Sequence, residues 1–297
     1  LGYRDTTISV SLSAAAKETL TVTLGPGPGT PRSFGTWREF PGGVRRIAAG
    51  PNGPVYVTAF TTVGGNYTDL FALSLAGDLL GKVSFGSEST GQLAVAASGD
   101  AYLAHALPSY GPVLERYTAA GSHAATIYYA GNYWPVWPHP ARGTGDTLLV
   151  LLNFSNPQSY TNGGKVVRCV NDQPADAWYT GIEVEEMAVD GTARRCYFMG
   201  EMRDTVYVFS TGGRPLTRWK AGLERGLGGR LAVGVDGSVY LADSYGATIQ
   251  RFSGDGAPLA AWALGRDGFG LGGLAVDAQG RVYVASYNSN RVIRYVP

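Results

Sequence analysis

His105, Glu201 and Asp243 are the side chains whose types and positions best suit acid–base or cation chemistry in this chain. They fall in or beside one place of a recurring phrase. Three residues after its Tyr stand Ala59, His105, Gly200, Asp243 and Ser286, with Leu151 in a degenerate copy. Glu201 and Asn153 lie nearby in sequence. Polar groups repeated at one level of a repeat architecture can converge on a common axis, bind a cation or move a proton. The set is thin, however, because four of the six positions at that level are Ala, Gly, Leu or Ser. Several Asp, Asn and Glu converging on calcium cannot be assembled from it. The three histidines are His105, His123 and His139, and His123 belongs to an outer turn. That leaves fewer than the three ligands of a zinc enzyme. No resident metal or cofactor is therefore expected. A structural role for His105, Glu201 and Asp243 stands beside the catalytic one, and Asp243 at a strand end equally suits a turn.

Other chemistry is sparser. Tyr133, Trp134 and Trp137 lie in YYAGNYWPVWPHP (128–140), where the prolines prevent a regular strand throughout. Exposed, such aromatics would suit glycan or Pro-rich peptide binding; otherwise they plug a degenerate repeat. Glu183, Glu185 and Glu186 alternate imperfectly and read as a solvated edge or a weak divalent-ion site. Cys169 and Cys196 cannot make a disulfide framework; a single bridge between neighbouring repeats is open, and so is a pair of buried thiols. Asn66 and Asn153 begin sequons that permit glycosylation on an exported chain. There is no GxSxG, Walker or Rossmann fingerprint, and GLGGR and GFGLGG precede strands, so they do not cradle phosphate. A formal net charge of +1 without basic runs argues against nucleic acid as a partner. No apolar run reaches membrane-spanning length.

The elements that must position these residues are strands. With 297 residues, 44% hydrophobic and 16% charged, the chain can bury a large core. The phrase is a short apolar run, a tight turn, a second strand and an Arg-plus-aromatic strand. It recurs at 47–60, 93–106, 187–200, 231–244 and 274–287, with the degenerate copy at 143–154. The period of roughly 44 residues is that of four-stranded propeller blades. The last repeat ends one strand short, and PRSFGTWREF (31–40) parallels APLAAWALG, aligning Trp37 with Trp178, Trp219 and Trp262. The pattern predicts an all-β, six-bladed β-propeller closed by an N-terminal strand, the tryptophans packing between blades.

The cores resemble NHL repeats, most closely in GSVYLADSYGATIQRF (237–252) and GRVYVASYNSNRVIRY (280–295). The likeness covers most of residues 44–297 and is carried by repeat residues alone. It implies a six-bladed propeller and a binding role, although related propellers include lyases and calcium-dependent hydrolases.

Three segments are expected: a strand pair at 1–24, a Pro/Gly linker at 25–32 and the propeller at 33–297. In the strand pair Ile8, Val10 and Leu12 share one face, as do Leu20, Val22 and Leu24. A lone hairpin is marginal in water, so it must lie on the propeller's rim or pair with another chain by β-augmentation. The second arrangement resembles the closing hairpin of bacterial surface Ig-like modules. The start at Leu1 is read as a processed or trimmed end. Together these features predict a non-enzymatic, exported binding or structural propeller at the cell surface, such as a filament or pilus subunit. Its partner would be a protein or identical chains, with a glycan or peptide at a propeller face and no membrane span. A tunnel-mouth hydrolase or lyase, and a carbohydrate-binding propeller, are the alternatives.

Overall fold

In the computed structural model the described residues are 31, 33–50, 53–62, 67–85, 90–96, 98–107, 111–118, 120–128, 139–142, 147–156, 161–192, 194–200, 204–223, 229–243, 247–264 and 270–296. They form 24 strands, numbered in chain order. These make six antiparallel sheets of four strands, the blades of a six-bladed β-propeller. The innermost strands are β2 (Val44–Ala49), β6 (Thr90–Val95), β10 (His139–Arg142), β14 (Val184–Asp190), β18 (Arg230–Val233) and β22 (Leu271–Val276). Each touches the next, and β22 returns to β2, so the six ring an axis.

Blade 6 is completed across the chain's ends. Strand β1 (Ser33–Glu39) pairs antiparallel with β24 (Arg291–Val296), from Ser33↔Val296 to Glu39↔Arg291, with a register shift at Trp37. The N-terminal strand thus fills the position that the last repeat lacks and covers an edge. Gly53, Gly99, Gly237 and Gly280 take positive φ in the turns that end the innermost strands.

Six apolar clusters fill the six gaps between neighbouring blades. The second strands supply both faces. In β23 (Val282–Ser286), Tyr283 packs toward blade 1 while Val282 and Val284 pack toward blade 5. A buried Val or Leu contributes roughly 1.5–3 kcal/mol, which explains the near-continuous apolar runs of these two-sided strands. The outermost strands face solvent, as in 173–179 and 215–220. Their tryptophans cover the following blade: Trp178 lies over Gly213, Trp219 over Gly256 and Trp37 over Gly77.

The cysteines are not bridged. Cys169 belongs to the core between blades 2 and 3, Cys196 to the core between blades 3 and 4. The sheet of blade 3 stands between them, so the inter-repeat disulfide gives way to two buried thiols. Burial pushes the Cys196 thiol up to about 12.

Candidate functional site

A cavity of about 60 Å³ lies on the axis, lined by residues of five innermost strands. Its polar walls are Arg46 from β2, Gln92 from β6, Glu186 from β14 and Arg230 from β18, while β22 contributes Gly273. These residues share one register. Arg46 pairs with Thr58, Glu186 with Met199, Arg230 with Ala242 and Gly273 with Ala285. Each partner stands two residues after its blade's Tyr. In the sequence, the position is the one just before the apolar run: R-IAA, Q-LAV, E-MAV, R-LAV and G-LAV.

Blade 3 follows the same register. Its last inner pair is Arg142↔Leu148, and His139, three residues ahead of Arg142, pairs with Leu151. Arg230 likewise precedes Val233, of the pair Val233↔Val239, by three residues. By backbone register the β10 position that corresponds to Arg46, Gln92, Glu186, Arg230 and Gly273 is residue His139.

Glu186 is buried and ion-paired, with its Oε1 accepting from Arg230 Nη1 at 3.2 Å and from Gln92 Nε2 at 3.4 Å. This corrects the reading of the 183–186 acidic run as a solvated edge. A bulge at Val184/Glu186 turns Glu186 onto the axis. Arg230 also donates Nε to the Gly272 carbonyl at 2.9 Å and Nη2 to the Leu271 carbonyl at 3.2 Å. Arg46 reaches the same Gly272 carbonyl through Nη1 at 2.7 Å and binds the Arg45 carbonyl at 3.0 Å. Its Nε is buried without a hydrogen-bond partner. Burial, and secondarily the nearby Arg230 charge, lowers the Arg46 guanidinium to about 10, Glu186 opposing the fall. It remains protonated at neutral pH.

Two guanidiniums approach one carbonyl because blade 6 has no side chain there. A Cβ on Gly273 would lie 2.9 Å from Ile47 N, and one on Gly272 would collide with the Val44 carbonyl. The glycines permit close contact of β22 with β2 and leave the space between the arginines open.

The residues singled out from the repeat stand elsewhere. Asp243 ends β19 (Val239–Asp243), is buried and pairs with Thr248. His105, on β7 (Ala101–Leu107), pairs with Thr90 and Val113. Asn153, on β11 (Thr147–Asn156), pairs with Gly164. All three occupy second strands, one strand outside the axial position. His123 is exposed on an outer strand, 3.7 Å from Glu115. Glu201, Asn66, Tyr133, Trp134 and Trp137 lie outside the described residues, as do Ile8, Val10, Leu12, Leu20, Val22 and Leu24. Among the described residues no three His, Cys, Asp or Glu come together as a metal-ligand group. No described helix is long and apolar enough to cross a membrane.

No protein-family model matches the chain, and neither does any curated protein. Solved structures do resemble it. Virginiamycin B lyase from Staphylococcus aureus shares 10% identity at a TM-score of 0.60, over 89% of this chain and 98% of the lyase. A gluconolactonase from Xanthomonas campestris shares 13% at 0.61, over 89% of each chain. The Dos1 propeller shares 10% at 0.53, over 85% of this chain and 68% of that one. At such identities the likeness is one of fold: a six-bladed β-propeller.

Proposed function

We propose that this is a binding propeller whose ligand site is the axial cavity. The observation that carries this reading is the convergence of Arg46, Gln92, Glu186 and Arg230 from four blades on one small cavity. The corresponding β22 position is glycine. Packing alone would favour apolar residues there, since burying charged groups costs more than burying carbon. The cavity admits a small polar molecule or the end of a larger one. The test is a thermal-shift screen of small acids, amines and polyols on the intact chain and on Arg230→Met. Ligands that stabilise the first and not the second support the site; hits indifferent to the substitution overturn it.

An enzymatic reading is favoured by His139 at the β10 register position that matches Glu186 on β14, and by the lyase and lactonase among the structural neighbours. Turnover of lactone or ester probes abolished by His139→Gln, with near-UV circular dichroism unchanged, would establish it. Equal turnover in both proteins would remove it.

Export and assembly through residues 1–24 belong to the same proposal. They are supported by strand alternation in the tail and by a ring whose 24 strand positions are filled from residue 33 onward. Light scattering with and without residues 1–30 tests this: loss of assembly on trimming supports an intermolecular anchor, and identical size overturns it.

A further inference from the structure

We infer that the axial cavity is an oxyanion site, taking a carboxylate-, sulfate- or phosphate-type group between Arg46 and Arg230; the inference rests on the binding reading above. The first support is charge. Arg46 and Arg230 contribute two positive charges and Glu186 one negative, so the described charged groups lining the cavity sum to +1. Glu186 is committed to Arg230 at 3.2 Å and to Gln92. Among the described residues no carboxylate lies within ion-pair distance of Arg46. Arg46 is half-buried and has only the more distant Glu186 charge to offset it, so an anion joining it would be favoured.

The second support is geometry. Arg46 and Arg230 come from blades 1 and 5 and meet over Gly272 of the intervening blade, each donating to that carbonyl. A carbonyl is a weak neutral acceptor for two cations. The planar forks of two arginines match the oxygens of a carboxylate or a tetrahedral oxyanion far better. Arg46 Nε remains an orphaned buried donor, which is costly without a partner. The third support is size. About 60 Å³ fits a small oxyanion group and excludes a drug-sized molecule. A larger ligand could enter only by its charged end.

The side of the cavity fixes the sign of ligand charge. A cation would need to displace Arg230 from Glu186, the one described carboxylate in the wall. A neutral polyol would leave the excess positive charge as it is.

The experiment uses the intact chain with sodium acetate, sulfate and phosphate as probes, against sodium chloride at matched ionic strength. Melting temperature and titration calorimetry are the readouts. The expected result is saturable stabilisation by at least one oxyanion, weakened about ten- to a hundredfold in Arg46→Met and in Arg230→Met. Glu186→Gln, which raises the ring from +1 to +2, should bind several-fold tighter. Arg46→Lys retains charge without the fork and should bind weakly, which guards against a folding defect in the methionine variant. Preference for acetate assigns a carboxylate, and preference for phosphate or sulfate assigns a tetrahedral oxyanion. A response that follows ionic strength and is equal in all variants overturns the site. Saturable binding of a neutral polyol, lost in Glu186→Gln while oxyanions have no effect, overturns the anion and leaves the binding reading standing. If no probe of either kind binds, both fall.

Discussion

Gly213→Ala isolates how one blade grips the next. Gly213 adopts φ +85 in the tight turn closed by Gly213 N to the Ser210 carbonyl at 2.9 Å. A side chain in this left-handed region costs about 1–2 kcal/mol. The added Cβ would also lie 2.6 Å from two ring atoms of Trp178. That indole cannot simply retreat, because it stacks on Phe209 at 5.5 Å and meets the edge of Phe198 at 5.8 Å. Overpacking of this kind costs about 1–3 kcal/mol more, so the variant should lose about 2–5 kcal/mol in all. Equilibrium urea unfolding followed by far-ultraviolet circular dichroism measures it. In a Trp178→Ala background only the backbone cost of about 1–2 kcal/mol should remain. An equal loss in both backgrounds, or a total below about 1 kcal/mol, would refute Trp178 as the clamp.

Asp277 is buried and accepts bonds from Gln279 N, Arg281 N, Arg281 Nε at 2.6 Å and the Tyr283 hydroxyl at 2.9 Å. Asp277→Ala strands Arg281 and should cost about 3–5 kcal/mol in urea unfolding, with Asp277→Asn losing less. Burial raises the Asp236 carboxyl, but bonds from Ser238 and the Arg251 charge outweigh it and leave the group below its usual 3.8. The folded form then binds the proton less readily than the unfolded chain, so its stabilisation is complete above that value and fades as pH falls through the lower folded one. The stability difference between the parent chain and Asp236→Asn should be flat above about pH 5 and shrink below about pH 4. Cys196, raised to about 12 by burial, should resist a disulfide-exchange thiol reagent in the native state and react on unfolding. Rapid native labelling would contradict the packing between blades 3 and 4.

The blades were legible because each two-sided second strand advertises itself as an apolar run between Gly-bearing turns. The closure was legible because Trp37 repeats the place of Trp178, Trp219 and Trp262. The site lies one strand further in than the repeat's Tyr suggests. Following the Tyr leads to Ala59, His105 and Asp243 on second strands, whereas the axis belongs to the residue preceding each apolar run. That signal is present in R-IAA, Q-LAV, E-MAV and R-LAV, but an alternating strand does not declare which neighbour is the innermost. Glu186 was hidden for a further reason. Its acidic neighbours suggest solvent, and only the bulge at Val184/Glu186 separates it from them. For the cysteines the sequence leaves both a bridge and two buried thiols open, and their places in the separate cores on either side of blade 3 decide for the thiols.

Ring closure has a mechanical side. Ser33, at the start of β1, pairs with Val296 at the far end of β24. Pulling Ser33 away from Val296 would open that ladder pair by pair from this end, whereas a pull along the strand would load all its bonds together. The innermost strand of that same blade, β22, carries Gly272, over which Arg46 and Arg230 meet. The seam that joins the chain's ends and the meeting point of the two guanidiniums thus belong to one sheet, so force at the rim and occupancy at the axis act on a common element.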